Sequence, residues 1–265
     1  MKQPTLFIPH GAGPCFFMDW QPANTWHDMA DYLRSIESSL PEPPKAILMV
    51  SAHWQASAFN VTSGQSPALI YDYNGFPAHT YELTYPAPGA PLLAEKVSNM
   101  LIKAGFDSQQ EALQGFDHGM FIPLKLMFPA ADIPVVQLSL RNDLDPAAHL
   151  AVGEALASLR SEGVLIIGSG MSFHNMPGYG DANFTAPSEV FDQWLTETIS
   201  AAPEQRLYGL KHWAQAPHAL NCHPLGKEEH LLPLMVVAGA AGKDKGEKVY
   251  SQQVLKTQLS AFQFG

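Results

Sequence analysis

Ile47-Leu-Met-Val-Ser-Ala-His53 is an unbroken apolar run that stops on small residues and a histidine. The same pattern recurs along the chain. Thr5-Leu-Phe-Ile-Pro9 runs into His10 and then Gly11, Ala12 and Gly13; Val164-Leu-Ile-Ile167 runs into Gly168-Ser-Gly170, with His174 just beyond. Continuous apolar runs of this length, bounded by Gly, Ser or Pro, read as strands buried on both faces. The strands are accordingly read as Thr5 to Pro9, Ala46 to Ser51, Ile133 to Leu140 and Val164 to Ile167. Helix-length amphipathic segments lie between them, at Trp26 to Ser39, Pro91 to Ala104, Pro146 to Glu162 with Asp145 as N-cap, and Ser188 to Ala201. Strands alternating with helices predict one α/β domain, its central sheet mostly parallel or mixed and flanked by helices on both faces.

Three stretches break this alternation. Ser63 to Gly89 is rich in Pro, Gly, Tyr and Asn without helical or strand period and reads as a long loop, the kind that often carries function. Asn175 to Pro187 reads as a second irregular segment, and Gly242 to Lys248 as a surface connection. No repeat or low-complexity tract divides the chain, so the 265 residues form a single domain on this reading.

Composition narrows the function. A net charge of -10 without any Lys/Arg cluster argues against nucleic acid or an anionic membrane as partner. No signal-type segment follows Met1 and no apolar stretch reaches bilayer length, so the expectation is a cytoplasmic protein. With only Cys15 and Cys222, a disulfide framework or a cysteine-rich zinc site is ruled out. Nothing in the sequence sets the oligomeric state.

The 11 histidines nearly match the 15 Lys and Arg, and imidazole is the commonest metal ligand, so their placement carries the argument. In open α/β sheets ligands bind beyond the carboxyl ends of the strands. His10, His53 and His174 all stand there. One strand-end histidine is ordinarily a structural residue. Three buried near one another would leave unsatisfied polar atoms unless a cation or a proton network used them. His118, in Gly115-Phe-Asp-His-Gly119, and His230, which opens an apolar helical run, have suggestive settings, although a local turn and a first-turn surface residue are the bland readings. His27, His79, His149, His212 and His218 are read as solvent-facing, with His223 a closer case. There is no Gly-x-Ser-x-Gly elbow, phosphate loop, dinucleotide fingerprint or His-Glu-x-x-His helix. Ser169 and Ser172 beside His174 are weak nucleophile candidates, because no third partner of a triad is identifiable.

At these residues the sequence resembles the class III extradiol dioxygenases, in the branch that contains bacterial and plant DOPA extradiol dioxygenases. The matching runs are Pro9-His-Gly11, Val50-Ser-Ala-His-Trp54, Asn74-Gly-Phe-Pro77, Tyr85-Pro-Ala-Pro-Gly89, Gly115 to Gly119, Asp132 to Ser139, Ser169 to Asn175, and His223-Pro224 to Pro233-Leu234. They cover nearly the whole chain in order. The resemblance implies His10, His53 and His230 as metal ligands, His174 as the acid/base residue and a candidate fourth ligand, and His118 as a further active-site histidine donating to bound oxygens. Catechuate-cleaving members use two histidines and a glutamate, so Glu229, next to His230, is the alternative third ligand. The implied reaction opens a catechol-type aromatic ring with O2 at Fe(II). Zn(II) fits the same three histidines but has no accessible redox change, so it would hold the site without running the reaction. A non-catalytic binding protein and a zinc hydrolase are the rival readings. Phe76, Tyr81 and Tyr85 are the candidates for shaping the substrate site, and Arg141 is a candidate for a substrate carboxylate or else a solvated strand-end residue.

Overall fold

The computed structural model describes residues 1–265. Eight strands form one mixed sheet: β1 (Thr5–Pro9), β2 (Ala46–Ala56), β3 (Val61–Thr62), β4 (Gln110–Glu111), β5 (Val135–Arg141), β6 (Val164–Gly170), β7 (Gly246–Val254) and β8 (Thr257–Phe264), in the order β4-β3-β5-β2-β6-β1-β8-β7. The four inner strands β5, β2, β6 and β1 are parallel and match the four apolar runs picked out above, with β5 starting at Val135, two residues later than expected. The hairpin β7–β8 closes one edge antiparallel to β1, and β3 pairs antiparallel with β5 at the other.

The helices are α1 (His27–Ser39), α2 (Pro91–Lys103), α3 (His118–Met127), α4 (Pro146–Leu156), α5 (Thr185–Ser200), α6 (Pro203–Lys211), α7 (Ala219–Cys222) and α8 (Leu232–Ala241). Successive residues of a strand point to opposite faces, and β6 shows how both faces are covered. A Cβ on Gly168 or Gly170 would lie 2.5 Å from the Pro233 carbonyl oxygen and 2.1 Å from that of His230, so glycine lets the segment entering α8 rest directly on the sheet. Ser169 points the other way and donates to the Gly119 carbonyl in α3. Every residue of α8 is buried, as expected of a helix that is apolar on all sides. It crosses α4 at two glycines, where a Cβ on Gly239 would meet Leu150 O at 2.0 Å and one on Gly153 would meet Val236 O at 2.0 Å.

Several boundaries differ from expectation. β2 continues past Ser51 to Ala56, because a bulge between Val50 and Gln55 lets the strand resume pairing with β5. The segment Pro146 to Glu162 is α4 followed by a 3-10 stretch, Ala157–Glu162, with Asp145 accepting from the Ala147 N–H as the cap. Gly246 to Lys248, read as surface connection, pairs with Phe262 to Phe264 in β7. The long loop holds one 3-10 turn, Ala78–Glu82. The second irregular segment ends earlier than expected, since α5 already begins at Thr185.

Candidate metal centre and active site

His10 follows β1, His53 sits in the bulge of β2, His118 opens α3, His174 follows β6, and His230 precedes α8. All five line one cavity of about 480 Å³ at the carboxyl ends of the parallel strands. Ligand atoms of His10, His53 and His230 all lie within 4.8 Å of one another. Their ring centroids are 4.8, 4.9 and 5.2 Å apart, and His10 Nε2 is 3.1 Å from His53 Nε2.

The outer nitrogens of two of these rings have defined partners. His10 Nδ1 is 3.0 Å from Ser169 Oγ. The single hydroxyl proton of Ser169 is already donated to the Gly119 carbonyl, so Ser169 accepts from His10 Nδ1–H and the Nε2 lone pair of His10 faces inward. That carbonyl is free because Pro123, four residues on, has no N–H to give it. His230 Nδ1 donates to Glu229 Oε1 at 2.8 Å, which turns its Nε2 inward as well. Glu229 thus sits behind His230 and orients it, as outer carboxylates do for metal-bound histidines. For His53 the outer partner is Asp72, with Oδ2 3.6 Å from Nδ1.

Burial first, and then the neighbouring histidines, hold His10 and His230 well below the ordinary imidazole range; His53 is pushed down to about 3 by burial and by His118, against the pull of Asp72. Three imidazoles that resist protonation and turn nitrogen lone pairs toward one point fit a divalent first-row ion and leave part of its coordination sphere open.

His174 stands beside this group. Its ring stacks on His230, 3.3 Å between centroids at 15°, with Nδ1 3.6 Å from Glu229 Oε1. It groups with Glu229 and His230, outside the triple of His10, His53 and His230. Burial lowers it to about 4, so at neutral pH it is an uncharged base. His118 gives both its N–H and its Nδ1–H to Asp72 Oδ1, each at 2.9 Å. Burial opposes ionisation of Asp72, but these His118 bonds outweigh it and keep the carboxyl below its ordinary range. His118 therefore presents a bare Nε2 when neutral and becomes a donor there only with a second proton.

A family model described as the catalytic LigB subunit of aromatic ring-opening dioxygenase matches residues 4–262. This chain belongs to that family. It is an aromatic ring-opening dioxygenase of the extradiol type, dependent on a metal. Among its relatives, 4,5-DOPA dioxygenase extradiol of Portulaca grandiflora is 44% identical over 218 residues, covering 79% of this chain and 78% of the relative. The Beta vulgaris protein of the same name is 38% identical over 252 residues, covering 93% and 90%. A crystal structure of an uncharacterized protein from Escherichia coli K12 superposes with a TM-score of 0.78 at 28% identity over 100% of both chains.

Other expected residues fall in and out of the dioxygenase cavity. Phe76 lines it, while Tyr81 packs on Tyr71 and Tyr73 behind the wall. Tyr85 is corrected to a core residue: it is 3% exposed and its hydroxyl donates to Phe128 O, which leaves it no face toward a substrate. Arg141 is bound by two nitrogens to Asp143 and lies over Phe59, outside the cavity lining. Ser169 orients His10, and Ser172 accepts from the Ser260 N–H, so neither hydroxyl is set up as a nucleophile. His149 was expected at the surface and is fully buried, because its Nε2 accepts from the Arg141 N–H and its Nδ1 donates to Asp145 O. Asp72 was not anticipated; one carboxylate in a long loop carries no signal of the two histidines it will meet.

Proposed function

We propose that this dioxygenase opens the ring of a DOPA-like catechol, using Fe(II) held by His10, His53 and His230. The observation that carries the reading is the convergence of those three inward nitrogens on the floor of an aromatic-walled cavity. Fe(II) supplies the one-electron chemistry that triplet dioxygen needs to react with a singlet catechol. His174, neutral and stacked on His230 with 3.3 Å between ring centroids, takes the proton from a catechol hydroxyl and returns it to the opening ring. His118, fixed by Asp72, accepts or shares a proton at Nε2 on the other side of the floor. Phe76 and Tyr73 flank the ring. The relatives named above are 4,5-DOPA dioxygenases, which supports a DOPA-like catechol as the substrate class.

Protein loaded anaerobically with iron is expected to consume oxygen when given a catechol such as DOPA and to form a yellow ring-opened product. An oxygen electrode that records no uptake across a panel of catechols would refute this reading. Zinc-loaded protein is expected to be inactive in the same assay.

A further inference from the structure

The wall above the histidines has a chemical bias. Trp20, Trp26, Tyr73, Phe76 and Tyr179 are its aromatic members. Three of these have polar ends that are already used: Trp20 Nε1 donates to Cys15 O at 2.9 Å, Tyr73 Oη to Thr80 O at 2.6 Å, and Tyr179 Oη to Phe173 O at 2.7 Å. They present ring surface to the cavity. No lysine or arginine lines it, and its one acidic side chain is Asp72.

A carboxylate on the substrate would enter this space without a cationic partner, at the cost of its hydration. An ammonium would meet aromatic faces, which attract cations, and the carboxylate of Asp72. We infer that this dioxygenase selects catechols whose ring substituent is cationic, zwitterionic or uncharged and discriminates against those whose substituent carries a carboxylate alone. The inference rests on the catechol reading of the site and narrows its substrate class.

Three compounds with one skeleton isolate the effect: DOPA, its decarboxylated analogue dopamine, and its desamino analogue 3-(3,4-dihydroxyphenyl)propanoate. Binding to iron-loaded protein is measured without oxygen, by quenching of tryptophan fluorescence. The expected result is that dopamine and DOPA each bind about tenfold or more tightly than the desamino acid, a difference of about 1.4 kcal/mol. Equal or tighter binding of the desamino acid overturns the inference. Lys256, exposed at the tip of the β7–β8 hairpin beside the cavity residue Leu255, is the basic side chain adjacent in sequence to the wall. Lys256→Gln should leave the ranking unchanged, and a selective loss of desamino-acid binding would show a cation at work and also overturn the inference. Asn74→Lys, which adds a cation to the lining, should narrow the gap. Admitting oxygen afterwards tests the parent reading separately, since the binding order can hold even if no ring opens.

Discussion

Single residues explain why the site is built as it is. Ser169 and Glu229 fix which nitrogen of His10 and His230 carries the proton, and so turn the Nε2 of each ring inward, as the proposed metal site requires. Glu229→Gln keeps the shape but replaces the strong acceptor, so metal affinity should fall about 10–100-fold with little change in fold, read by competition with a chelator. His174→Ala should behave differently. Its ring lies outside the group of three, so metal content is expected to survive while turnover is lost; metal loss equal to that of His10→Ala would make His174 a ligand. At this scale the five cavity histidines were readable from the sequence, His10, His53 and His174 by strand-end context and His118 and His230 through the family resemblance. His149 was not. Its burial depends on partners at Arg141 and Asp145, and helical position alone does not reveal a ring turned back onto its own helix start.

Whole elements carry the next level of control. Pro123 inside α3 leaves the Gly119 carbonyl without its helical partner, and Ser169 from β6 fills the gap while orienting His10. Ser169→Ala should therefore do two things at once: it leaves a buried carbonyl unsatisfied, costing about 1–3 kcal/mol in denaturant unfolding, and it weakens metal binding by freeing the His10 ring. The crossing of α4 and α8 is equally specific. Gly239→Ala would place a methyl 2.0 Å from Leu150 O, and since backbone cannot swing aside as a side chain can, a loss of about 2–3 kcal/mol is expected in the same assay. The parallel strands were legible because they are apolar throughout. α3 was hidden by its proline, and β7 by a sequence, Gly246-Glu-Lys-Val-Tyr-Ser-Gln-Gln-Val254, whose polar residues suit a sheet edge and look like a surface connection in isolation.

For the molecule as a whole, the buried histidines make stability depend on pH. Burial, ahead of other causes, lowers His149 to about 4 and His223 to about 3, and holds His10, His53, His174 and His230 down as well. Each takes up a proton on unfolding once the pH is below the ordinary value near 6.5. Their contribution is complete above that value and fades as the pH falls toward the folded pKa, at about 1.4 kcal/mol per pH unit for each proton taken up. Asp117, pushed up to about 6 by burial, and Glu229, raised by burial, act with the opposite sign but are fewer. Metal-free protein should thus lose stability steeply between pH 6 and 4.5, with a slope exceeding one proton; a flat profile in urea titrations would contradict the burial of these rings. The inner parallel strands and the strand-end histidines His10, His53 and His174 were foreseeable from local pattern. The cavity wall was not, because Trp20, Tyr73, Tyr179 and Leu255 come from four separate segments and meet only through the fold.

The central claim is that residues 10, 53 and 230 jointly hold one ion, and metal stoichiometry after anaerobic iron loading and desalting tests it most directly. The parent chain is expected to retain one iron, and His10→Ala, His53→Ala and His230→Ala each well below half of that with the fold intact by circular dichroism. Full retention of iron in any two of those folded variants would contradict the shared site.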